Sequence, residues 1–214
     1  MLRNNFGPNT PNVYELTKNV DMIFLNVHPI WSDNAPVPPG VIYMGGLHQQ
    51  PAKELPKELL DYLESSQNGT IYLSFGTNVL PSILPPKTIK MMMKVFSELP
   101  YNVIWKWDSD IPNKPSNIKV FKWLPQSDLL RHPKVKLFIT QGGLQSTDEA
   151  ISGGVPLIGI PIIGDQWYNA EKYVRFGIGQ QLEMGAYTEE EFRNAIVTVI
   201  ENQSYRHNIR RLRT

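Results

Sequence analysis

The 214-residue sequence contains no cysteine, which excludes disulfides, thiolate metal sites and a cysteine nucleophile. It also lacks an excess of one charge: 21 basic and 20 acidic side chains give a formal net charge of +1. This balance argues against a nucleic-acid partner. The one basic cluster, residues 206–213, is predicted to be a solvated helix face.

Long apolar runs are absent as well. No stretch of about 18 apolar residues could cross a membrane, and the first residues have no signal-peptide hydrophobic region, so we expect this chain itself to be soluble. No phosphate-binding P-loop and no nucleophile elbow occur. The glycines at 177 and 179 lack the third glycine of a dinucleotide fingerprint and precede their strand. The four histidines are too dispersed to predict a metal site.

Proline and glycine are unevenly distributed. Eight of the 18 prolines lie in residues 1–56 and none follows Pro161, whereas nine of the 15 glycines lie between Gly142 and Gly185. The prolines within residues 28–40 cannot lie inside a paired strand or a helix interior. This passage is therefore predicted to be an extended connector.

From residue 56 onward, apolar strand-like runs alternate with amphipathic helical stretches. Six strands are predicted: 71–75, 103–107, 118–123, 135–140, 157–161 and 178–182. Thr188 and Glu191 form the capping-box pattern at the start of a helix. The alternation predicts an α/β domain with a Rossmann-like parallel sheet and helices on both faces.

Ligands of such sheets bind at the carboxyl ends of the strands, so the loops there are the candidate site. Three loops carry suitable residues: 76–78, 141–146 and 162–166. Two glycines followed by polar side chains at a helix start suit an anion. Alternatives remain open at this point, because the glycines could serve turns, Asp165 could be a helix N-cap, and Trp123 could pack in the core.

A 44-residue pattern resembles the donor-binding signature of the UDP-glycosyltransferases. It comprises 123–126 (WLPQ), 132–133 (HP), 138–150 (FITQGGLQSTDEA), 154–156 (GVP), Pro161 and 165–166 (DQ), with the internal spacing of the family kept. Residues 74–77 (SFGT) and the glycine–proline connector at 38–46 also match. The sequence of residues 141–146 (QGGLQS) is most similar to that of the invertebrate, insect-like branch.

The resemblance implies a two-domain GT-B enzyme of which this chain supplies the C-terminal, nucleotide-sugar half. Residues 1–50 would then be the tail of an N-terminal acceptor domain plus linker, and residues 51–214 the UDP-sugar-binding domain, truncated at its C-terminal end. By resemblance, Trp123 stacks on uracil, Gln126 and Glu149 hold the ribose, and Asp165 and Gln166 bind the sugar. The diphosphate is expected to be surrounded by Thr77, Gln141, Gly143, Gln145 and Ser146.

The implied reaction is an inverting, metal-independent transfer from a UDP-sugar, UDP-glucose by the insect likeness, to a small lipophilic acceptor. No cofactor or metal is expected, and no catalytic residue is assigned in this chain, because the family's His–Asp pair lies in the acceptor domain. We therefore expect the chain to bind UDP-sugar but to transfer sugar negligibly. The resemblance further implies a lumenal endoplasmic reticulum location for the full-length protein, held by a C-terminal membrane anchor that is not in this sequence.

One residue departs from the family pattern. Many relatives have histidine where this sequence has Gln141, and a neutral amide cannot carry positive charge towards the leaving group. This departure leaves open an alternative function, a non-catalytic nucleotide-sugar-binding or regulatory module. A nicotinamide-dependent enzyme would require the glycine fingerprint that is missing.

Overall fold

The computed structural model describes residues 2–77, 84–109 and 111–213. Contacts between Cα atoms divide the chain into two compact units, Met1–His48 and Gln49–Thr214. The division falls two residues before the boundary at residue 50 that the sequence predicts.

In residues 2–48 the first unit contains two short helices and one pair of strands. Helices α1 (Leu2–Phe6) and α2 (Val13–Thr17) precede strand β1 (Ile23–Leu25), which pairs in parallel with β2 (Val41–Tyr43). These strands come from two apolar stretches of the sequence, residues 20–27 and 41–44, which are neighbours in the structure. The proline-containing passage between them includes a single 3₁₀ turn at Pro29–Ser32.

The second unit is built on a six-stranded parallel sheet. Its strands are β3 (Thr70–Ser74), β4 (Asn102–Lys106), β5 (Ile118–Phe121), β6 (Val135–Thr140), β7 (Leu157–Gly159) and β8 (Gly179–Gln181). All six predicted strands are present. Strand β7 ends two residues before the predicted end at Pro161, and proline has no N–H to donate to a strand ladder.

The strand order across this sheet is β5-β4-β3-β6-β7-β8, with every neighbouring pair parallel. This is the doubly wound Rossmann order, in which the direction of winding reverses between the first and fourth strands of the sheet. Here the reversal lies between β3 and β6. Their carboxyl ends therefore flank the crevice where this fold binds ligands.

Seven helices in the described residues of the second unit cover the sheet. They are α3 (Lys57–Ser65), α4 (Pro86–Ser97), α5 (Gln126–Leu130), α6 (Leu144–Gly153), α7 (Gln166–Arg175), α8 (Glu189–Glu201) and α9 (Gln203–Leu212). Helices α4 and α8 pack on one face through a fully buried cluster in which Phe96 meets Trp105 and Phe192 edge to face. On the other face α7 lies so close to β7 that a Cβ at Gly159 would come within 2.7 Å of the Ala170 side chain. The predicted arrangement of helices on both faces is thus confirmed.

Helix α9 is less solvated than its basic sequence predicts. Ile209 is fully buried, and the half-buried Arg206 donates through Nη2 to the backbone oxygens of Val135 and Lys136, at 3.0 and 2.9 Å. The expectation of a purely solvated face was wrong for Arg206. Its guanidinium holds the helix to the start of β6, a contact across about seventy residues of sequence that no local pattern reveals.

None of the described helices is both long enough and apolar enough to span a bilayer.

Helix α8 begins at the predicted capping box. The Thr188 hydroxyl accepts from the backbone N–H of Glu191 at 3.2 Å, and the Glu191 carboxylate accepts from the Thr188 N–H at 2.7 Å.

We expect Thr188→Ala to lower the free energy of unfolding by about 1 kcal/mol, the usual cost of a lost N-cap. Urea denaturation measures this loss. Thr198→Ala, which is exposed within the same helix, is the matched control and should change it by less than about 0.5 kcal/mol. Equal effects of the two substitutions would contradict a capping role.

Candidate nucleotide-sugar site

The turns after β3 and β6 lie against each other at the winding reversal. Gly76 has a φ of +76° and Gly142 a φ of +92°, a region that side chains rarely adopt. The buried Gln141 side chain lies between the turns, so that a Cβ at Gly76 would be 2.2 Å from its Nε2 atom. The interpretation of Gly76 and Gly142 as turn glycines is therefore correct, and it does not exclude a role in binding. Neither glycine carries a side chain, so a ligand in the crevice could come close to the backbone of both turns.

Helix α6 presents an uncapped N-terminus to this crevice. Its N-cap residue, Gly143, has no side chain to accept from the first-turn N–H groups. The carbonyl of Gly143 accepts from the Thr147 hydroxyl at 3.0 Å, and that of Gly142 accepts from the Asn169 amide at 2.9 Å. Because these internal donors hold both carbonyls, the first-turn N–H groups and the positive end of the helix dipole can face an anion.

The first turn of α6 carries two of the predicted residues, Gln145 and Ser146. Gln145 is exposed, and Ser146 is half-buried beside the start of α5. Thr77, after the β3 turn, is exposed as well, whereas Asn78 lies outside the described residues.

Gln126 organises a second group of predicted residues. Its Nε2 donates to the Glu149 carboxylate at 2.6 Å and to the Ser146 hydroxyl at 2.9 Å, while its Oε1 accepts from the Tyr72 hydroxyl at 2.9 Å. Burial, with a smaller contribution from the Glu149 charge, raises the pKa of Tyr72 above its usual range. Tyr72 therefore stays protonated as a donor, and the orientation of the Gln126 amide is set by its three partners.

Trp123 projects from the loop after β5 with 71% of its surface exposed. The core-packing alternative for this residue is therefore wrong. The Lys106 ammonium lies 4.8 Å from the centre of the indole and donates to the backbone oxygen of Gly76 at 2.8 Å. The same ammonium is 3.5 Å from the Thr77 hydroxyl, and burial lowers the pKa of Lys106.

Lys106, like Tyr72 and Asn169, is a candidate site residue that the sequence pattern did not reveal. It is the last residue of β4, and the rule that ligands bind beyond strand ends could have found it. It adds a cation that links the Trp123 loop to the β3 turn.

The third predicted loop brings Asp165 and Gln166 to the start of α7. Gln166 is buried, and its Oε1 accepts from the backbone N–H groups of Ile162 and Ile163 at 2.8 and 2.9 Å. Asp165 occupies the N-cap position, but its side chain caps no backbone N–H; it accepts from the Asn169 amide at 3.0 Å. Asn169 thus ties this loop to the Gly142 carbonyl.

Among the described residues, no group of three or more histidine or acidic side chains is gathered as a metal site would require.

The contact between Gly76 and Gln141 gives a test of how the two turns are held. We expect Gly76→Ala to lower the free energy of unfolding by at least about 1 kcal/mol more than Gly185→Ala, because the new methyl group must displace the Gln141 amide. Gly185 is the matched control, since it has a similar φ of +80° with open space around it and should lose only the backbone strain, about 1–2 kcal/mol. Urea denaturation of both variants measures the difference. Equal losses would show that Gln141 is not held against Gly76.

Comparison with known proteins gives relatives over the whole chain. An ecdysteroid UDP-glucosyltransferase of Mamestra brassicae nuclear polyhedrosis virus is 39% identical over 100% of this chain and 41% of its own length. UDP-glucosyltransferase 2 of Dactylopius coccus is 32% identical over 99% of this chain and 41% of its own length. The chain thus spans about two fifths of these relatives.

Solved structures share the fold at low identity. The glycosyltransferase of kitacinnamycin matches with a TM-score of 0.73 and 19% identity, over 99% of this chain and 54% of its own. UDP-glucose: anthocyanidin 3-O-glucosyltransferase, solved in complex with UDP, matches with a TM-score of 0.69 and 23% identity, over 81% of this chain and 42% of its own. Both are glycosyltransferases of the GT-B fold.

Residues 9–214 match the family model described as UDP-glucoronosyl and UDP-glucosyl transferase, and with the relatives above this shows that the chain belongs to the UDP-glycosyltransferase family.

Proposed function

We propose that this chain binds a UDP-sugar, UDP-glucose in particular, as the donor-binding part of an inverting glycosyltransferase. The observation that carries the proposal is the convergence of three features on one sheet edge: an exposed indole, an uncapped helix N-terminus and a carboxylate held by an amide. These features suit the base, the diphosphate and the ribose of one nucleotide.

The uracil stacks on Trp123. Lys106 lies over the indole at 4.8 Å, and we place the base on the face of the ring away from this cation. Glu149 accepts hydrogen bonds from the ribose hydroxyls, and Gln126 holds the carboxylate in place. Since Gln126 is itself bound by Tyr72, the ribose would meet a polar group that needs little reorganisation on binding.

The diphosphate binds at the N-terminus of α6. First-turn N–H groups, with the side chains of Gln145, Ser146 and Thr77, would donate to its oxygens. Lys106, 3.5 Å from the Thr77 hydroxyl, can supply the positive charge that the neutral Gln141 lacks. This placement offsets the departure from histidine at position 141, and we therefore favour a working transferase over a non-catalytic module.

The sugar lies beside Asp165 and Gln166. Two backbone N–H groups fix the Gln166 carbonyl oxygen, which leaves its amide N–H groups as the donors for a sugar hydroxyl. Asp165 supplies the acceptor. A hydrogen-bond acceptor beside a hydrogen-bond donor suits two neighbouring hydroxyl groups of a hexose.

In the reaction we propose, an acceptor oxygen attacks the anomeric carbon as the bond from that carbon to the β-phosphate oxygen breaks. UDP departs with the electron pair, the configuration inverts, and the acceptor proton passes to a base on the acceptor domain. The α6 N-terminus and Lys106 stabilise the charge that develops on UDP without a metal. By itself the chain would bind donor but transfer sugar negligibly.

A small lipophilic acceptor fits the names of the viral relatives, which are ecdysteroid UDP-glucosyltransferases. We place the full-length protein at the endoplasmic reticulum membrane, facing the lumen, on family likeness. The names of the viral relatives support the first statement, and the family match over residues 9–214 is the basis of the second.

Replacement of Trp123 tests the base site. We expect Trp123→Ala to raise the Kd for UDP by about 5- to 150-fold, since base–aromatic stacking contributes about 1–3 kcal/mol, and Trp123→Phe to retain part of the affinity. Isothermal titration calorimetry with UDP measures the change. Tyr14→Ala removes an aromatic that is 84% exposed in the first unit and should leave the Kd unchanged. Wild-type affinity in Trp123→Ala would overturn the assignment.

Donor choice tests the sugar site. We expect UDP-glucose to bind more tightly than UDP-glucuronate and up to about tenfold more tightly than UDP-galactose, whose inverted C4 hydroxyl leaves one hydrogen bond of the loop unmade. Calorimetry with the three donors measures the order, with UDP alone as the reference. Asp165→Asn should retain the wild-type Kd for UDP, while its preference for UDP-glucose over UDP-galactose should fall. A preference for UDP-galactose would contradict the proposal.

A further inference from the structure

A polar cavity lies at the amino ends of the strands, at the end of the sheet away from the candidate nucleotide-sugar site. Its volume is about 240 Å³, and its lining comes from the residues before β3 and β4, the start of β6 and the junction of α8 with α9. The lining residues are Asn68, Pro100, Tyr101, Lys136, Ile200, Gln203 and Arg206. The donor site lies at the carboxyl ends of the same strands, so the two sites are separate.

Positive charge is concentrated around this cavity. Lys136 and Arg206 line it, and Lys134 and Arg210 are close enough to influence Lys136 electrostatically. The hydrogen bonds of these cations run to backbone oxygens: Lys134 to Ser66 at 3.0 Å, Lys136 to Pro133 at 3.3 Å, and Arg206 to β6. Four cations in one place stand out in a chain whose net charge is only +1.

Within the described part of the chain, no carboxylate is paired with this group, since none of the four residues forms a salt bridge. Burial, followed by the charges of Arg206, Lys134 and Arg210, lowers the pKa of Lys136. Among the described residues, the exposed Glu201 places a negative charge near the cavity lining. Burial, with a smaller contribution from the Glu201 charge, raises the pKa of Tyr101. Like charges therefore repel one another within the cluster, and a bound anion would relieve this repulsion.

The cavity is also preorganised. Arg206 is fixed by its two bonds to β6, and the aliphatic stem of Lys136 lies across Gly69, where a Cβ would come within 2.4 Å of the Lys136 Cγ atom. Glycine at this position, with a φ of +101°, allows the lysine to lie there. The amides of Asn68 and Gln203 add neutral hydrogen-bonding groups to the lining; the Asn68 Nδ2 donates one of its two hydrogens to the Pro100 carbonyl at 3.0 Å.

From this arrangement we propose that the cavity is an anion site that takes a phosphate group, either free or as the headgroup of an anionic lipid. Phosphate has the acceptor oxygens and the charge that two cations and two amides can satisfy together. The site is independent of the donor site and of the transfer reaction.

The test is a titration of the whole chain with inorganic phosphate, followed by the rise in Tm. Lys136→Gln should weaken the phosphate response about tenfold, the loss expected for one charge-assisted hydrogen bond, with Tm in the absence of phosphate unchanged or higher because repulsion falls. Lys90→Gln removes the same charge from an exposed position on α4 and should respond like the wild type. Arg210→Gln, also at an exposed position, provides a second variant of the cluster if Lys136→Gln fails to fold.

Binding of UDP separates this proposal from the proposed function. Lys136→Gln should bind UDP with the wild-type Kd. Loss of the phosphate response with normal UDP binding would concern only the cavity, and loss of UDP binding in the wild type with a normal phosphate response would concern only the donor site. Sedimentation with phosphatidylcholine vesicles, with and without phosphatidylserine, then distinguishes a lipid headgroup from free phosphate. Equal phosphate responses of the wild type, Lys136→Gln and Lys90→Gln would overturn the site.

Discussion

The parallel pairing of β3 with β6 is the constraint on which the rest of the candidate site depends. It brings together two turns that are 65 residues apart, from Gly76 to Gln141, with the Gln141 amide packed against Gly76. Any side chain at Gly76 would displace that amide. The crevice follows from this pairing, while the parallel pairing of β3 with β4 brings Lys106 to the β3 turn and the lack of a side chain at Gly143 leaves the start of α6 uncapped.

Around the crevice, internal donors occupy the carbonyls that would repel an anion. The Gly142 and Gly143 oxygens accept from Asn169 and Thr147, which leaves the helix N-terminus positive. Fixed dipoles of this kind cost no reorganisation when charge develops on a leaving group, and they act most strongly where water is excluded. In the proposed function, this helix N-terminus and Lys106 would together stabilise a departing diphosphate, with Gln141 in place of a charged residue.

The two edges of the same sheet carry different electrostatics. At the carboxyl edge, helix dipole and hydroxyl groups are combined with the Glu149 carboxylate, which suits a ligand with both phosphates and hydroxyls. At the amino edge, lysine and arginine side chains gather without a carboxylate partner among the described residues. Strand direction separates the two, because all six strands point the same way.

The sequence by itself determined the local features. Apolar runs predicted the six strands, the Thr188 pattern predicted the cap of α8, and the signature from Trp123 to Gln166 identified the family, because each depends on neighbours within a few residues or on fixed spacing. Only the tertiary structure decided that Trp123 is exposed, that Lys106 reaches Gly76, and that Arg206 is bound to β6. These contacts join residues 30 and 71 positions apart, and the order in which strands pair, which no local period encodes, sets their partners.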